Sequence, residues 1–425
     1  MNGLETLTNA LIESAERFFG VPGYPATDII RLTGAWCCSN EKVALEYALG
    51  SSISGTRAAA IMKNAGINTC ADTLVNSVVQ GLKSGVVLVV ADDTEISGSQ
   101  NALDSRYYGE ITSVPVIEPD SRTIAEATEE AFRVSERFSR PVLLRITPTL
   151  LDGPASCPKA TKKLFTGELA PPDLTMKGRV TRANNMIQGM QKWSDNSPLN
   201  ILNDLEIGVG AAKGRDKIVT VHPTPDIDIS GGRTINELGR RFVWEHSQID
   251  KEVIRAEEPE TFAQRGFYRT LCPSCPFREL FSIISEKGLY AICDAGCSLL
   301  AMNPPYSFAI AHYGLGSSPA VAVKSTGICL TGDYAIIHSG INALIDIHEK
   351  GLPLLCIILK NMKMGMTGGQ KIMDLEKYLQ WADPVICEAE DHTKLREEIQ
   401  KPDSLKVLII RGKCPGGEKY GTIKC

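Results

Sequence analysis

The 425-residue chain has no apolar run near the ~18 residues that a membrane-spanning helix needs, so no membrane association is expected. It lacks a strong charge of either sign: 45 Lys and Arg against 50 Asp and Glu leave a formal net charge of −5. A mildly acidic chain gives no electrostatic reason to expect nucleic acid or an anionic lipid surface as a partner. No short-period repeat or low-complexity tract interrupts it. No secretion signal opens it either. The first stretch, "MNGLETLTNALIESAERFFG", reads as an amphipathic helix with mixed charges, which makes the cytoplasm the expected location. What the chain does have is cysteine, thirteen in all. An odd count at irregular spacing, with no secretion signal, argues against a disulfide framework. Reduced thiols, open to binding metal, fit better.

At this length two or three domains are expected. Residues 1–155 alternate helix-like segments, such as "EKVALEYALGSSISGTRAAAIM", with short apolar strands: "SGVVLVVADD", "VPVIEP" and "RPVLLRITP". Strands apolar on both faces suit a buried parallel sheet. A second α/β region spans 266–425, with strands in "LYAICDAG", "AVAVKSTGICLTGD", "LPLLCIILKN" and "LKVLIIRG". Between them, 156–265 carries many of the Lys, Asn and Pro clusters and one convincing helix, "RVTRANNMIQGMQKW". It reads as a connector or reduced middle domain.

The stretch "LTGDYAIIHSGINALIDIHEKGLPLLCIILKNMKMGMTGGQ", 330–370, carries the clearest chemistry. Asp333 and Asn361, 28 residues apart, each follow an apolar run, at the expected C-terminal end of a strand. That edge of an open α/β sheet is where ligands bind. Magnesium takes oxygen ligands and usually binds through one or two protein groups plus phosphates. A carboxylate and an amide on neighbouring strand ends suit it, with a main-chain oxygen from Lys363 as a third ligand. The helix after Asp333 would aim its N-terminus at a phosphate. Each dipeptide alone is an ordinary turn; the pair at this spacing points to a diphosphate clamp.

This pattern resembles the thiamine diphosphate fingerprint, and "NMKMGMTGGQ" is similar to the version found in the 2-oxoacid:ferredoxin oxidoreductases, closest to the α subunit of indolepyruvate ferredoxin oxidoreductase. The resemblance covers about residues 1–205 and 266–414. It implies two thiamine-diphosphate-binding-fold domains of parallel sheets flanked by helices: a pyrimidine-binding domain over 1–155 and a diphosphate-binding domain over 266–425, joined by a shortened middle region. It places the cofactor against Gly332, Asp333, Tyr334, Asn361, Lys363, Met364, Gly365, Met366 and Thr367, with Mg2+ on Asp333, Asn361 and Lys363. In the first domain, Glu41, followed by Ala44, Gly50 and Gly55, falls on the family's catalytic glutamate. Its carboxyl favours the imino tautomer of the aminopyrimidine, whose nitrogen takes the thiazolium proton. From the residues alone, Glu41 could instead cap a helix that begins after Asn40.

Cys272 and Cys275 form a C-x-x-C pair, "DAGC" adds Cys297 and "RGKCP" adds Cys414. The family has a similar set, and related enzymes hold an iron–sulfur cluster with it. Four thiolates are what a [4Fe–4S] cluster requires. A lone C-x-x-C equally suits zinc or a redox pair, and Cys387 is a rival fourth ligand. Several other cysteines lie in apolar runs and read as small core residues.

Three departures separate this chain from the family pattern. The family's ferredoxin-like module does not follow "RGKCPGGEKYGTIKC", the middle region is short, and the substrate side differs. Tyr24 stands where the family has a threonine near the 2-oxoacid, and Asn64, Phe277 and Gly369 stand where it has histidines. Tyr24 and Asn64 are therefore the candidate substrate residues. The resemblance implies oxidative decarboxylation of an indolepyruvate-like 2-oxoacid in the cytoplasm of an anaerobe. Electrons would pass through the cluster to a second oxidoreductase subunit or a ferredoxin, and the acyl group to coenzyme A. A homodimer is also expected. Two other readings stay open: a non-oxidative thiamine-diphosphate decarboxylase or carboligase, and a non-catalytic scaffold subunit.

Overall fold

The computed structural model describes residues 1–93, 96–100, 103–156, 158–199, 219–220, 256–367, 369–416 and 421–425. About half of the expected connector, 200–218 and 221–255, lies outside the described residues. Its helix is Met176–Asp195, started by the Thr175 side chain accepting from Gly178 N.

The first sheet is built from β1 (Arg17–Gly20), β2 (Trp36–Cys37), β3 (Ala58–Lys63), β4 (Val86–Ala91), β5 (Val116–Ile117), β6 (Val142–Ile146) and β7 (Val219–Thr220). Their order is β2-β1-β3-β4-β6-β5-β7. The first six run parallel, and β7 pairs antiparallel with β5 at the edge. β8 (Phe267–Thr270) and β15 (Gly421–Lys424) form a separate antiparallel ribbon. The second sheet contains β9 (Ala291–Cys293), β10 (Ala309–Ala311), β11 (Ile328–Gly332), β12 (Leu354–Lys360), β13 (Val385–Glu388) and β14 (Leu405–Arg411). All of these are parallel, in the order β10-β9-β11-β12-β14-β13. The fold is thus α/β, with two parallel sheets flanked by helices. No described helix is long and apolar enough to cross a membrane.

Three stretches depart from the sequence reading. The first twenty residues are not one helix: α-helix Gly3–Ser14 stops and Arg17–Gly20 is strand β1. "EKVALEYALGSSISGTRAAAIM" also divides, into helix Glu41–Ile53 and the core strand β3, buried from Ala58 to Met62. Gly55, at φ +86°, makes the break, since that backbone is costly for other residues. Alanine is a good helix former, but here its small side chains let helices lie close on the sheet. Likewise, Ser318–Val323 is helical, and only Ile328–Gly332 of "AVAVKSTGICLTGD" is strand.

The two sheets share a core. One buried apolar cluster includes Leu45, Ala48 and Leu88 from the first unit and Val321, Cys329 and Leu344 from the second. Each fully buried Leu or Val contributes about 1.5–3 kcal/mol over its exposed state. Helix Glu41–Ile53 crosses helix Ser318–Val323 so closely that a Cβ on Gly50 would lie 2.4 Å from Val321 O. Polar groups join the same seam. Tyr47 OH donates to Asp346 (2.7 Å), Tyr313 OH to Gly81 O (2.8 Å) and His312 N to Gln80 Oε1 (3.2 Å). The Lys324 ammonium sits 3.9 Å from the Trp36 ring centre, a cation–π contact across the two units.

Candidate functional site

Parallel strands put all their C-terminal ends on one edge, and this decides which residues meet. In the second sheet, β9, β11, β12 and β14 are consecutive neighbours. The residues just past their ends are Asp294 to Cys297, Asp333, Asn361 and Gly412 to Cys414. Gly332 pairs with Leu359, so Asp333 comes level with the turn at Asn361. The Asp333 carboxylate is 3% exposed. It accepts from Tyr334 N (2.9 Å), Asn361 N (3.0 Å) and Met362 N (2.9 Å). Burial pushes its carboxyl up to about 6 despite these three donors. A buried acid with a raised pKa is one that a bound cation would relieve.

The Asn361 side chain folds over its own turn, Oδ1 accepting from Lys363 N at 3.0 Å. Lys363 O accepts from Gly365 N (3.0 Å), and Met364 O from Thr367 N (3.1 Å) and Gly369 N (3.0 Å). The loop is therefore a tight coil, with Met366 at its surface. Helical backbone runs on from Asp333 through a π segment, Ile336–Gly340, to Ile341–Glu349. The Tyr334 ring stacks at a tilt on His338, 5.9 Å between centroids.

Beside this turn the four cysteines gather. Cys272, Cys275, Cys297 and Cys414 line one cavity together with Asn361 and Gly365. Gly365 lies so close that a Cβ there would be 3.5 Å from Cys414 Sγ and 4.0 Å from Cys297 Sγ. Pro276 and Phe277 pack on Gly412, which seats the C-x-x-C turn over the end of β14. Burial, with the neighbouring cysteines adding, pushes the Cys275 thiol up to about 11 and Cys297 to about 12. Cys387 does not line this cavity; it is 2% exposed in the apolar core. Among the described residues, no three His, Cys, Asp or Glu side chains lie close enough to hold a single metal ion.

The first sheet presents its own C-terminal edge. Asn40 caps helix Glu41–Ile53, its side chain accepting from Val43 N at 2.9 Å. The cap is thus Asn40's, and Glu41 is half-buried with its carboxyl against Gly66, where a Cβ would lie 2.5 Å from Oε1. Ser39 N donates to Asp346 (2.8 Å), tying this helix start to helix Ile341–Glu349. Farther along, Leu315 N donates to Asp72 (3.1 Å) and Ser339 Oγ to Leu315 O (2.6 Å). The elements that carry Glu41 and Asp333 are thereby in contact through a short chain of bonds. Tyr24, 43% exposed, covers Gly98, while Asn64 is fully buried with Oδ1 accepting from Ala65 N. Phe277 packs in the second core and Gly369 has φ +77°, so neither position presents a proton-transfer group.

Sequence reasoning missed Asp72, Asp294 and Leu315. Asp294 stood in the quoted "DAGC" but was passed over for its cysteine. The other two carry no local pattern.

Comparison with known proteins bears on this site. Residues 291–396 match the family described as thiamine pyrophosphate enzyme, C-terminal TPP binding domain. The chain is 25% identical over 471 residues to the indolepyruvate oxidoreductase subunit IorA of Archaeoglobus fulgidus, spanning 87% of this chain and 75% of that protein. It is 38% identical over 440 residues to the protein of the same name from Pyrococcus horikoshii, spanning 78% and 68%. Among solved structures, the thiamine diphosphate-dependent 4-hydroxybenzoylformate decarboxylase of Rhodococcus jostii superposes with a TM-score of 0.58 at 15% identity. The match covers 99% of this chain and 100% of that one.

Proposed function

The chain belongs to the family of indolepyruvate oxidoreductase IorA subunits, which are thiamine-diphosphate enzymes, and from that premise we propose that it oxidatively decarboxylates an indolepyruvate-like 2-oxoacid. In this reading residues 1–155 form the pyrimidine-binding domain and 266–425 the diphosphate-binding domain. One observation supports the reading above others: the turn bearing Asn361, beside the buried Asp333, also forms a wall of the four-cysteine cavity.

The residues suit the groups they would hold. A desolvated Asp333, the Asn361 amide and the Lys363 carbonyl are oxygen donors for Mg2+. Four thiols from three turns around one cavity suit a [4Fe–4S] cluster, whose ligands lie farther apart than those of a single ion. Thiamine diphosphate supplies the electron sink for decarboxylation. Around it, Glu41 holds the proton at its carboxyl oxygen, in a half-buried setting. The helical run from Asp333 offers its N-terminal amides to phosphate. Tyr24 and Asn64 bound the 2-oxoacid side. Cys272, Cys275, Cys297 and Cys414 would hold the cluster, which would supply an electron route to a second subunit or ferredoxin, with coenzyme A as the acyl acceptor. A homodimer completes the assembly.

The test is anaerobic dye reduction. Protein reconstituted with iron, sulfide, Mg2+ and thiamine diphosphate, together with its partner subunit, should reduce a viologen when given an aryl 2-oxoacid. Asp333→Ala should abolish cofactor binding in calorimetry. Aldehyde release without any electron acceptor would support the non-oxidative reading instead. Negligible binding heat from wild type and variant alike would support the scaffold reading.

A further inference from the structure

Asp294 follows β9 directly and precedes Cys297 by three residues. It is fully buried. Its Oδ1 accepts from Ser318 N (2.9 Å) and Ser317 Oγ (3.4 Å), and its Oδ2 from Ser318 Oγ (2.8 Å) and Thr331 Oγ1 (2.5 Å). Its main chain is also engaged, N donating to Leu330 O (3.3 Å) and O accepting from Ser298 Oγ (2.9 Å). Three segments thus converge on one side chain. Thr331 lies two residues before Asp333. Ser317 and Ser318 start the helix that packs on helix Glu41–Ile53. Asp294 itself leads into the turn of Cys297. A carboxylate is an unusual choice for a site buried among apolar strands, because its desolvation is costly unless donors surround it. Here four do, and bonds to a charged acceptor are about twice as strong as neutral ones. Burial pushes its carboxyl above the usual carboxylate range, and the Thr331 and Ser318 donors, with the Lys42 charge on the first unit adding, pull against that.

We propose that Asp294 is a positioning residue: its carboxylate locks the Cys297 turn to the strand that ends in Asp333, and so sets the spacing between cluster and diphosphate cofactor. This rests on the functional reading above and adds to it. Asp294 is fully buried and does not line the four-cysteine cavity. It acts through Thr331 on the cofactor side and through its own backbone on the cysteine side. Any slackening should therefore register at both sites at once, although they bind unlike ligands.

The experiment compares wild type with Thr331→Val, which keeps the shape and removes one donor, Thr331→Ser, which restores it, and Asp294→Asn, which keeps an acceptor without the charge. Each chain is reconstituted anaerobically with iron, sulfide, Mg2+ and thiamine diphosphate. Iron content, the paramagnetic resonance spectrum of the reduced cluster, cofactor affinity by calorimetry and melting temperature are read. Thr331→Val and Asp294→Asn should change the resonance line shape and weaken thiamine diphosphate binding severalfold, up to about the tenfold that one bond to a charged group is worth. Thr331→Ser should restore both signals. Cys356→Ala, buried in β12, controls for general loosening and should lower the melting temperature while leaving both signals in place. Unchanged spectra and affinity in the two altered variants, or equal losses in Cys356→Ala, would overturn the proposal. A wild-type chain that takes up neither iron nor thiamine diphosphate would sink the functional reading and this one with it.

Discussion

At the level of single residues, Glu41 and Asp333 carry the proposed chemistry in opposite ways. Asp333 is held by three backbone amides and has no freedom to move. Glu41 is relieved of capping by Asn40, so its carboxyl can be directed at a ligand. The bare Cα of Gly66 is what admits it. Glu41→Gln keeps the size of the side chain and removes the proton exchange. Its turnover should fall by roughly 100- to 10,000-fold, the range for a general acid–base group, with thiamine diphosphate affinity nearly unchanged in calorimetry. Turnover within a few-fold of wild type would remove Glu41 from its role.

At the level of elements, the close crossing of helices Glu41–Ile53 and Ser318–Val323 makes a sharper prediction. Glycine inside a helix normally costs about 0.5–1 kcal/mol relative to alanine, so Gly50→Ala would stabilise an isolated helix. Here the added Cβ would meet Val321 O at 2.4 Å and Lys324 Cβ at 2.8 Å. Overpacking of this kind costs about 1–3 kcal/mol, and it should win. Chemical denaturation should show Gly50→Ala less stable than wild type. Much of this architecture was legible in the sequence, because apolar strands in a parallel sheet deliver their ends to one edge. Asp333 and Asn361 could therefore be placed as strand-end residues from the sequence, whereas Cys297 and Cys414 entered only through their motifs. Less legible were elements where propensity and burial pull apart. The Ala58–Lys63 strand reads as helix by composition, and it becomes a strand because small side chains are needed between two layers of helices. The partners of Asp294 could not be read at all. Ser317, Ser318 and Thr331 lie 23, 24 and 37 residues away, and hydroxyls leave no pattern in the sequence.

For the molecule as a whole, the two sheets are joined along a seam of shared apolar packing and hydrogen bonds. His312 lies in it, 6% exposed, and its Nδ1 has no hydrogen-bond partner among the described residues. Burial pushes its imidazole down from the ordinary 6.5 to about 4, with the Arg179 charge adding. Between those values the unfolded chain takes up a proton that the folded chain refuses. The stability due to the neutral ring is complete above pH 6.5 and is lost as pH falls towards 4, at about 1.4 kcal/mol per unit. Denaturation midpoints at pH 7.5 and pH 5 should therefore differ more in wild type than in His312→Asn. An equal drop in both would show that other groups govern acid sensitivity.

The same seam, with Gln80 and Gly81 on one side and His312 and Tyr313 on the other, has a consequence for how the polypeptide is strung. Each half hides polar and apolar surface that the other half covers. The peptide linkage between them is then a convenience of synthesis rather than the bond that keeps them together. Two separately translated fragments would still seek each other out, and neither would remain soluble for long without its mate.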